Sequence, residues 1–174
     1  MSAPQPGVQP GVQPRVRPSV TLRRAVADDS PVLVALHLDC WDDAYTGLID
    51  QQILDARRAD EPARVERWRG ILDQGTTLVA EDASGMVGFV CAADADPPEV
   101  EGHTELQSLY VRGSHWGTGV GHQLLVAAIA DRPAYLWVLE GNERAIEFYR
   151  RHSFLLDGMV TVEREGRHLR MVRS

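Results

Sequence analysis

The chain has 174 residues, a net charge of −7 with histidine neutral, 44% apolar residues and 25% charged ones. This is enough for one domain with its own core. No run approaches the ~18 apolar residues of a membrane span, and the acidic balance argues against nucleic acid as a partner. All 18 Lys+Arg residues are arginine, which excludes a Walker-type phosphate loop with its obligatory lysine.

Residues 1–18 carry the tandem PGVQPGVQP and five of the ten prolines. Such a segment cannot pack a core and reads as a disordered, polyproline-leaning tail. It has no apolar stretch of the signal-peptide kind, so a cytoplasmic protein is expected. Residues 19–174 are then the domain. Residues 19–25 alternate and predict a first strand. Asp28, Asp29 and Ser30 ahead of Pro31 mark a helix start. Leu33, Leu36, Cys40 and Ala44 recur at helical spacing and carry that helix to about Tyr45. His37 falls near its apolar face, as a packing residue. Residues 50–72 predict a second helical region, broken at Pro62.

Residues 76–81 and 86–93 predict a hairpin turned at Ser84-Gly85, and residues 94–102 an acidic loop. A strand over 104–112, a helix over 119–130 and a strand over 135–140 form a strand–helix–strand unit, expected as a right-handed parallel crossover. A helix over 142–152 comes next. Strands over 154–163 and 167–172 close the chain as a hairpin turned at Glu165-Gly166. This is a single mixed α/β domain. Cys40 and Cys91 lie far apart in different patterns and read as buried free thiols. No Cys/His cluster has metal-ligand spacing.

The chemistry concentrates in residues 105–125, ELQSLYVRGSHWGTGVGHQLL. A strand feeds three alternating glycines, Gly117, Gly119 and Gly121, which open a helix. Free loop N–H groups and the positive helix end make an anion site, and a Cβ there would keep an oxygen-rich ligand away. A dinucleotide fold also uses strand, glycines and helix, with Glu140 near the position of a ribose-binding acid. Against it, the spacing is G-x-G-x-G, and the chain is short for a two-half sheet. Downstream, Asn142, Ala145, Ile146 and Tyr149 fall at i, i+3, i+4 and i+7 on one helix face. That helix starts where a parallel strand ends, the place where such sheets hold ligands.

These two segments, LYVRGSHWGTGVGHQLL and WVLEGNERAIEFYRRHSF, resemble the GNAT superfamily of acyl-CoA-dependent N-acetyltransferases. The resemblance extends over most of the chain from about Ser19 and is densest over residues 105–156. The family pattern Arg/Gln-x-x-Gly-x-Gly/Ala is here Trp116-Gly117-Thr118-Gly119-Val120-Gly121. Trp116 departs from it, since an indole cannot pair a phosphate as a guanidinium does; Arg112 is a nearby source of charge. The resemblance implies an α/β GNAT-like domain, a mixed sheet of about six or seven strands with helices on both faces. It implies acetyl-CoA as co-substrate and no metal. The pyrophosphate is expected on the N–H groups from Trp116 to His122 (Trp116, Gly117, Thr118, Gly119, Val120, Gly121, His122). The pantetheine arm is expected along Leu109, Tyr110 and Val111, with Asn142, Ala145 and Tyr149 beside it. Tyr149 matches the family's general acid, a main-chain N–H near Val111 its oxyanion donor, and Glu105 its general base. His115 is a second candidate base beside the phosphates.

The resemblance also places the acceptor pocket between the first two helices and the closing hairpin. Trp41, Asp42, Asp43 and Tyr45 fall there with Glu99, Glu101, Glu105 and Glu140, and aromatic plus acidic groups suit a cationic amine. Peptide N-termini, protein lysines, polyamines, aminoglycosides and amino-acid-like metabolites all stay open as acceptors, and a homodimer is compatible with the family. An acyl-CoA sensor that binds without turnover and a nucleotide-dependent oxidoreductase are the competing readings.

Overall fold

The structure is a computed structural model, and it describes residues 19–94, 100 and 102–174. The expectations for the tail at 1–18 and for Glu99 and Glu101 lie outside the described residues. The strands are β1 (Thr21–Arg24), β2 (Thr77–Asp82), β3 (Gly85–Asp94), β4 (Thr104–Val111), β5 (Ala134–Leu139), β6 (Leu155–Glu163) and β7 (Gly166–Arg173). The helices are α1 (Ser30–Tyr45), α2 (Gln51–Ala59), α3 (Glu61–Leu72), α4 (Val120–Ile129) and α5 (Glu143–Arg150). One seven-stranded sheet runs β1-β2-β3-β4-β5-β7-β6. Its pairs are antiparallel except β4–β5, so the sheet is mixed.

Two apolar clusters flank the sheet. On one face Leu124, Leu125 and Ile129 of α4 and Ile146 and Tyr149 of α5 pack on Val90, Leu106, Leu136 and Val138. On the other, Leu33, Leu36 and Cys40 of α1 and Trp68 and Leu72 of α3 pack on Val79 and Phe89. Burying both faces is what makes β3 and β5 near-continuous apolar runs. The predicted break in the second helical region falls at Asp60 instead of Pro62. Pro62 sits in the first turn of α3, where its missing N–H costs nothing. Cys40 and Cys91 are buried and free.

Two features of β4 shape the centre of the sheet. Its register on β3 shifts between Cys91↔Ser108 and Ala92↔Leu106, so Gln107 is an extra residue, a bulge. The bulge inverts the strand's parity. Leu106 before it and Leu109 and Val111 after it therefore pack toward the same core. Pairing of β4 with β5 is confined to Thr104↔Ala134 and Glu105↔Tyr135. Beyond that point the two parallel strands diverge and open a wedge in the middle of the sheet.

Candidate active site

A cavity of about 370 Å³ occupies the wedge. Leu109, Tyr110 and Val111 of β4 form one wall, Trp137 and Val138 of β5 face them, and Asn142, Arg144, Ala145 and Tyr149 close it from the start of α5. Gly117, Gly119, Gly121 and His122 bound its outer end. A smaller cavity of about 200 Å³ adjoins it, lined by Trp41, Tyr45, Ile49, Leu139, Glu165 and His168. Tyr45, Gln107, Tyr110 and Trp137 line both. The arrangement is one long slot with a middle shared by the two spaces.

The glycine loop leaves part of its backbone N–H groups free. Gly117 (φ 75°) and Gly119 (φ 99°) are left-handed, conformations that other residues resist. Gly119 caps α4 without a side chain. A Cβ on Gly117 or Gly119 would meet nothing within 4 Å. Among the described residues, the N–H groups of Gly117, Gly119, Val120, Gly121 and His122 donate to no backbone carbonyl. The Trp116 and Thr118 amides turn inward instead, to the Gly113 carbonyl (3.2 Å) and the His115 carbonyl (3.4 Å). Thr118 and the buried Val120 do not line the cavity. The Trp116 indole N–H donates to the Val111 carbonyl (2.8 Å), tying the loop to the end of β4.

Asn142 caps α5, its side-chain oxygen accepting from the Ala145 N–H (3.2 Å). That cap sets the helix register, which delivers Tyr149 to the wedge two turns later. Tyr149 is 8% exposed. No hydrogen bond joins its hydroxyl to another described residue. Burial pushes its pKa up, Tyr45 adds to the rise and Arg144 opposes it. The phenol is thus kept protonated at neutral pH, as a proton donor must be. Burial also raises the Cys40 thiol, which lines the same cavity, to about 12. It is therefore a poor nucleophile.

Several sequence expectations shift. Asp42 and Asp43 do not line either cavity: Asp42 pairs with Arg58 (2.5 Å), and Asp43 accepts from Arg112 (2.9 Å) and the Gly113 N–H (2.8 Å). Arg112 pairs with Asp39 as well (2.5 Å), so its charge is spent fastening β4 to α1 instead of serving the loop. Glu140 pairs with Arg167 (3.2 Å) at the surface. His115 lies between Ser114 (2.9 Å) and Asp82 (2.9 Å) while bordering the main cavity. Glu105 lines neither cavity; its carboxylate accepts from the Gln107 amide (3.4 Å), and Gln107 lines both. Trp41 borders the smaller cavity as expected, but the Arg57 guanidinium lies 3.3 Å from its ring centroid and already occupies one face. His37 is a packing residue, accepting from the Trp41 indole (3.0 Å) among Trp68, Phe89 and Tyr110.

The sequence reading missed Arg144, Trp137, Gln107, Glu165 and His168 as lining residues. Trp137 carried a signal, a polarizable ring in an aliphatic strand. Glu165 and His168 had none, since they were read only as hairpin. Glu165 is held by Arg57 (3.3 Å), and the His168 Nδ1 is buried with no hydrogen-bond partner.

A loop of three alternating glycines with unspent N–H groups, a splayed parallel pair and a neutral phenol thus lie along one cavity. The profile of the acetyltransferase (GNAT) family matches residues 36–154, and the chain belongs to that family. It is 30% identical over 156 residues to the L-methionine sulfoximine/L-methionine sulfone acetyltransferase of Pseudomonas aeruginosa, covering 82% of this chain and 84% of that one. It is 27% identical over 146 residues to a probable N-acetyltransferase of Mycobacterium tuberculosis, covering 80% and 82%. The fold is similar to that of the PaiA N-acetyltransferase of Thermoplasma acidophilum, solved with coenzyme A, at a TM-score of 0.71 and 17% identity over 87% of this chain and 98% of that one.

Proposed function

We propose that the protein transfers the acetyl group of acetyl-CoA to the primary amine of a small molecule by direct attack in a ternary complex. The observation that carries this reading is the continuity of the slot. The glycine loop, the β4–β5 wedge and the Tyr149 hydroxyl succeed one another in the order of pyrophosphate, pantetheine and thioester. The residues present fit such a donor. The free N–H groups of the loop meet the pyrophosphate, main-chain groups of Leu109, Tyr110 and Val111 meet the pantetheine amides, and Ala145 leaves room beside Asn142. Bound there, the coenzyme supplies an activated acetyl thioester.

In the transfer, the amine nitrogen forms a bond to the thioester carbonyl carbon, the C–S bond breaks, and the thiolate takes the Tyr149 proton. The amine's surplus proton leaves by way of water toward Glu105, whose carboxylate reaches the slot only through Gln107. His168, which lines the smaller cavity, is a further candidate base. A main-chain N–H of β4 receives the oxyanion. Direct attack is supported by Cys40, whose elevated pKa makes an acetyl-cysteine intermediate unfavourable.

The smaller cavity supports a compact acceptor, at about seven water volumes. The activity named for the Pseudomonas relative, on amino-acid derivatives, puts amino-acid-like amines first in the panel. The test is free-thiol release when the protein is incubated with acetyl-CoA and a panel of amino acids and their derivatives, polyamines, aminoglycosides and peptides. We expect release with at least one small amine. Tyr149→Phe should lower kcat by about 10²-fold or more with little change in coenzyme affinity, and the Glu105→Gln and His168→Gln variants identify the base by which loses turnover. Coenzyme binding with no release for any amine would favour a sensor instead.

A further inference from the structure

Arg144 is the cavity's unspent cation. Its guanidinium carbon lies 3.6 Å from the centroid of the Trp116 ring, a cation–π contact that holds the guanidinium against the indole. It lines the main cavity. Among the described residues it makes no hydrogen bond and no ion pair, although it carries five N–H donors. As a residue it is exposed, and the protein packed on one side of the guanidinium lowers its pKa by desolvation, with Tyr45, Tyr149, Cys40 and Asp43 opposing the shift.

Its neighbours differ in this respect. Arg151, also at the cavity, is within 3.7 Å of Glu147. Arg112 is engaged by two aspartates. His122 and His152 hold one another, with Nδ1 and Nε2 2.9 Å apart. Asp43, an acid whose charge Arg144 senses, is committed to Arg112 and the Gly113 N–H. A planar cation that is held against a ring at the cavity wall, open to an arriving ligand and left without an acid is pre-organised for an anion that arrives from outside. The ring it rests on belongs to Trp116, the residue directly before Gly117, so that anion lies against the glycine loop.

We propose that Arg144, held by Trp116, is the side-chain cation that binds the pyrophosphate of the coenzyme. Trp116 cannot itself pair a phosphate. It acts as the platform that brings a guanidinium from α5 across to the loop, while its indole N–H anchors the platform to the Val111 carbonyl. Charge and cradle therefore come from two elements separated in sequence, joined by one stack. This inference rests on the donor being acetyl-CoA.

Calorimetric titration with CoA and with 3′-dephospho-CoA separates the outcomes. If the wild-type protein binds neither, the donor reading itself falls. If it binds them, Arg144→Ala should weaken both by about tenfold to a hundredfold, the range for a charge-assisted pair. Arg144→Lys should regain part of the loss, because it restores charge without the stacked plane. Trp116→Leu should weaken binding as well, by releasing the guanidinium. Unchanged affinity in Arg144→Ala overturns the proposal. So does a loss seen with CoA but not with 3′-dephospho-CoA, which would assign Arg144 to the 3′-phosphate. Equal losses in the Ala and Lys variants would assign a steric role and overturn it too.

Discussion

His37 lies in a box of rings, with Trp68, Phe89 and Tyr110 centroids 5.7, 5.2 and 4.7 Å away. Burial lowers its pKa to about 3, with Arg57 and Arg64 adding to the effect. In the unfolded chain it titrates near 6.5. Between those values the unfolded state binds the extra proton, so stability is complete above about pH 6.5 and is lost as pH falls toward 3. The loss amounts to about 1.4 kcal/mol per unit, on the order of 5 kcal/mol across the window. Denaturation midpoints measured from pH 7 to 4 should therefore fall, and His37→Gln, which keeps an acceptor for Trp41, should flatten that fall. An identical slope in the variant would show that other groups carry the acid sensitivity. At this scale the sequence showed residue types well. Asn142 and Tyr149 were legible because a helix face is a local pattern. Arg144 was not, because its stack joins residues 116 and 144 and no periodicity links them.

Among the elements, β4 bears the most. Its neighbour β3 places Gly88 opposite Val111. A Cβ on Gly88 would come 2.9 Å from the Tyr110 carbonyl oxygen and 3.1 Å from Leu124. No backbone strain is involved; the glycine is needed for close approach. Gly88→Ala must push β4 or α4 outward, at a cost of about 1–3 kcal/mol. The expected result is a Tm lower by about 3–10 °C; a Tm unchanged within a degree would show that the strand pair has slack. The strands and helices named above could be read from alternation, helical spacing and turn residues, all short-range signals, with the break between α2 and α3 placed two residues late. The bulge at Gln107 could not, since a single inserted residue shows only against its partner strand. The same is true of the place where β4 and β5 part company.

For the whole molecule, the sequence showed the glycine-loop end of the slot and left the other end, the one proposed for the acceptor, largely unread. The glycine loop and α5 are contiguous motifs. The end proposed for the acceptor is assembled from α1, the β6–β7 hairpin and pairs such as Arg57 with Glu165, 108 residues apart. Aspartates that looked like acceptor ligands turn out to hold the scaffold: Asp43 reaches Arg112 across 69 residues. Charge counted along the chain could not distinguish an acid that binds substrate from one that fastens two elements. The sheet, its wedge and the loop act together, with α1 clamped to β4 so that the wedge stays open beside the smaller cavity.

The central claim is that this loop and wedge hold the donor. Calorimetric titration of CoA into the wild-type protein and into Gly119→Glu tests it directly. The new side chain enters open space at the cavity rim and costs about 1–2 kcal/mol of backbone strain, so the variant should fold. We expect one-to-one binding by the wild type and none by the variant, whose carboxylate and bulk exclude the pyrophosphate. Equal affinity in the two proteins would contradict the assignment of the site.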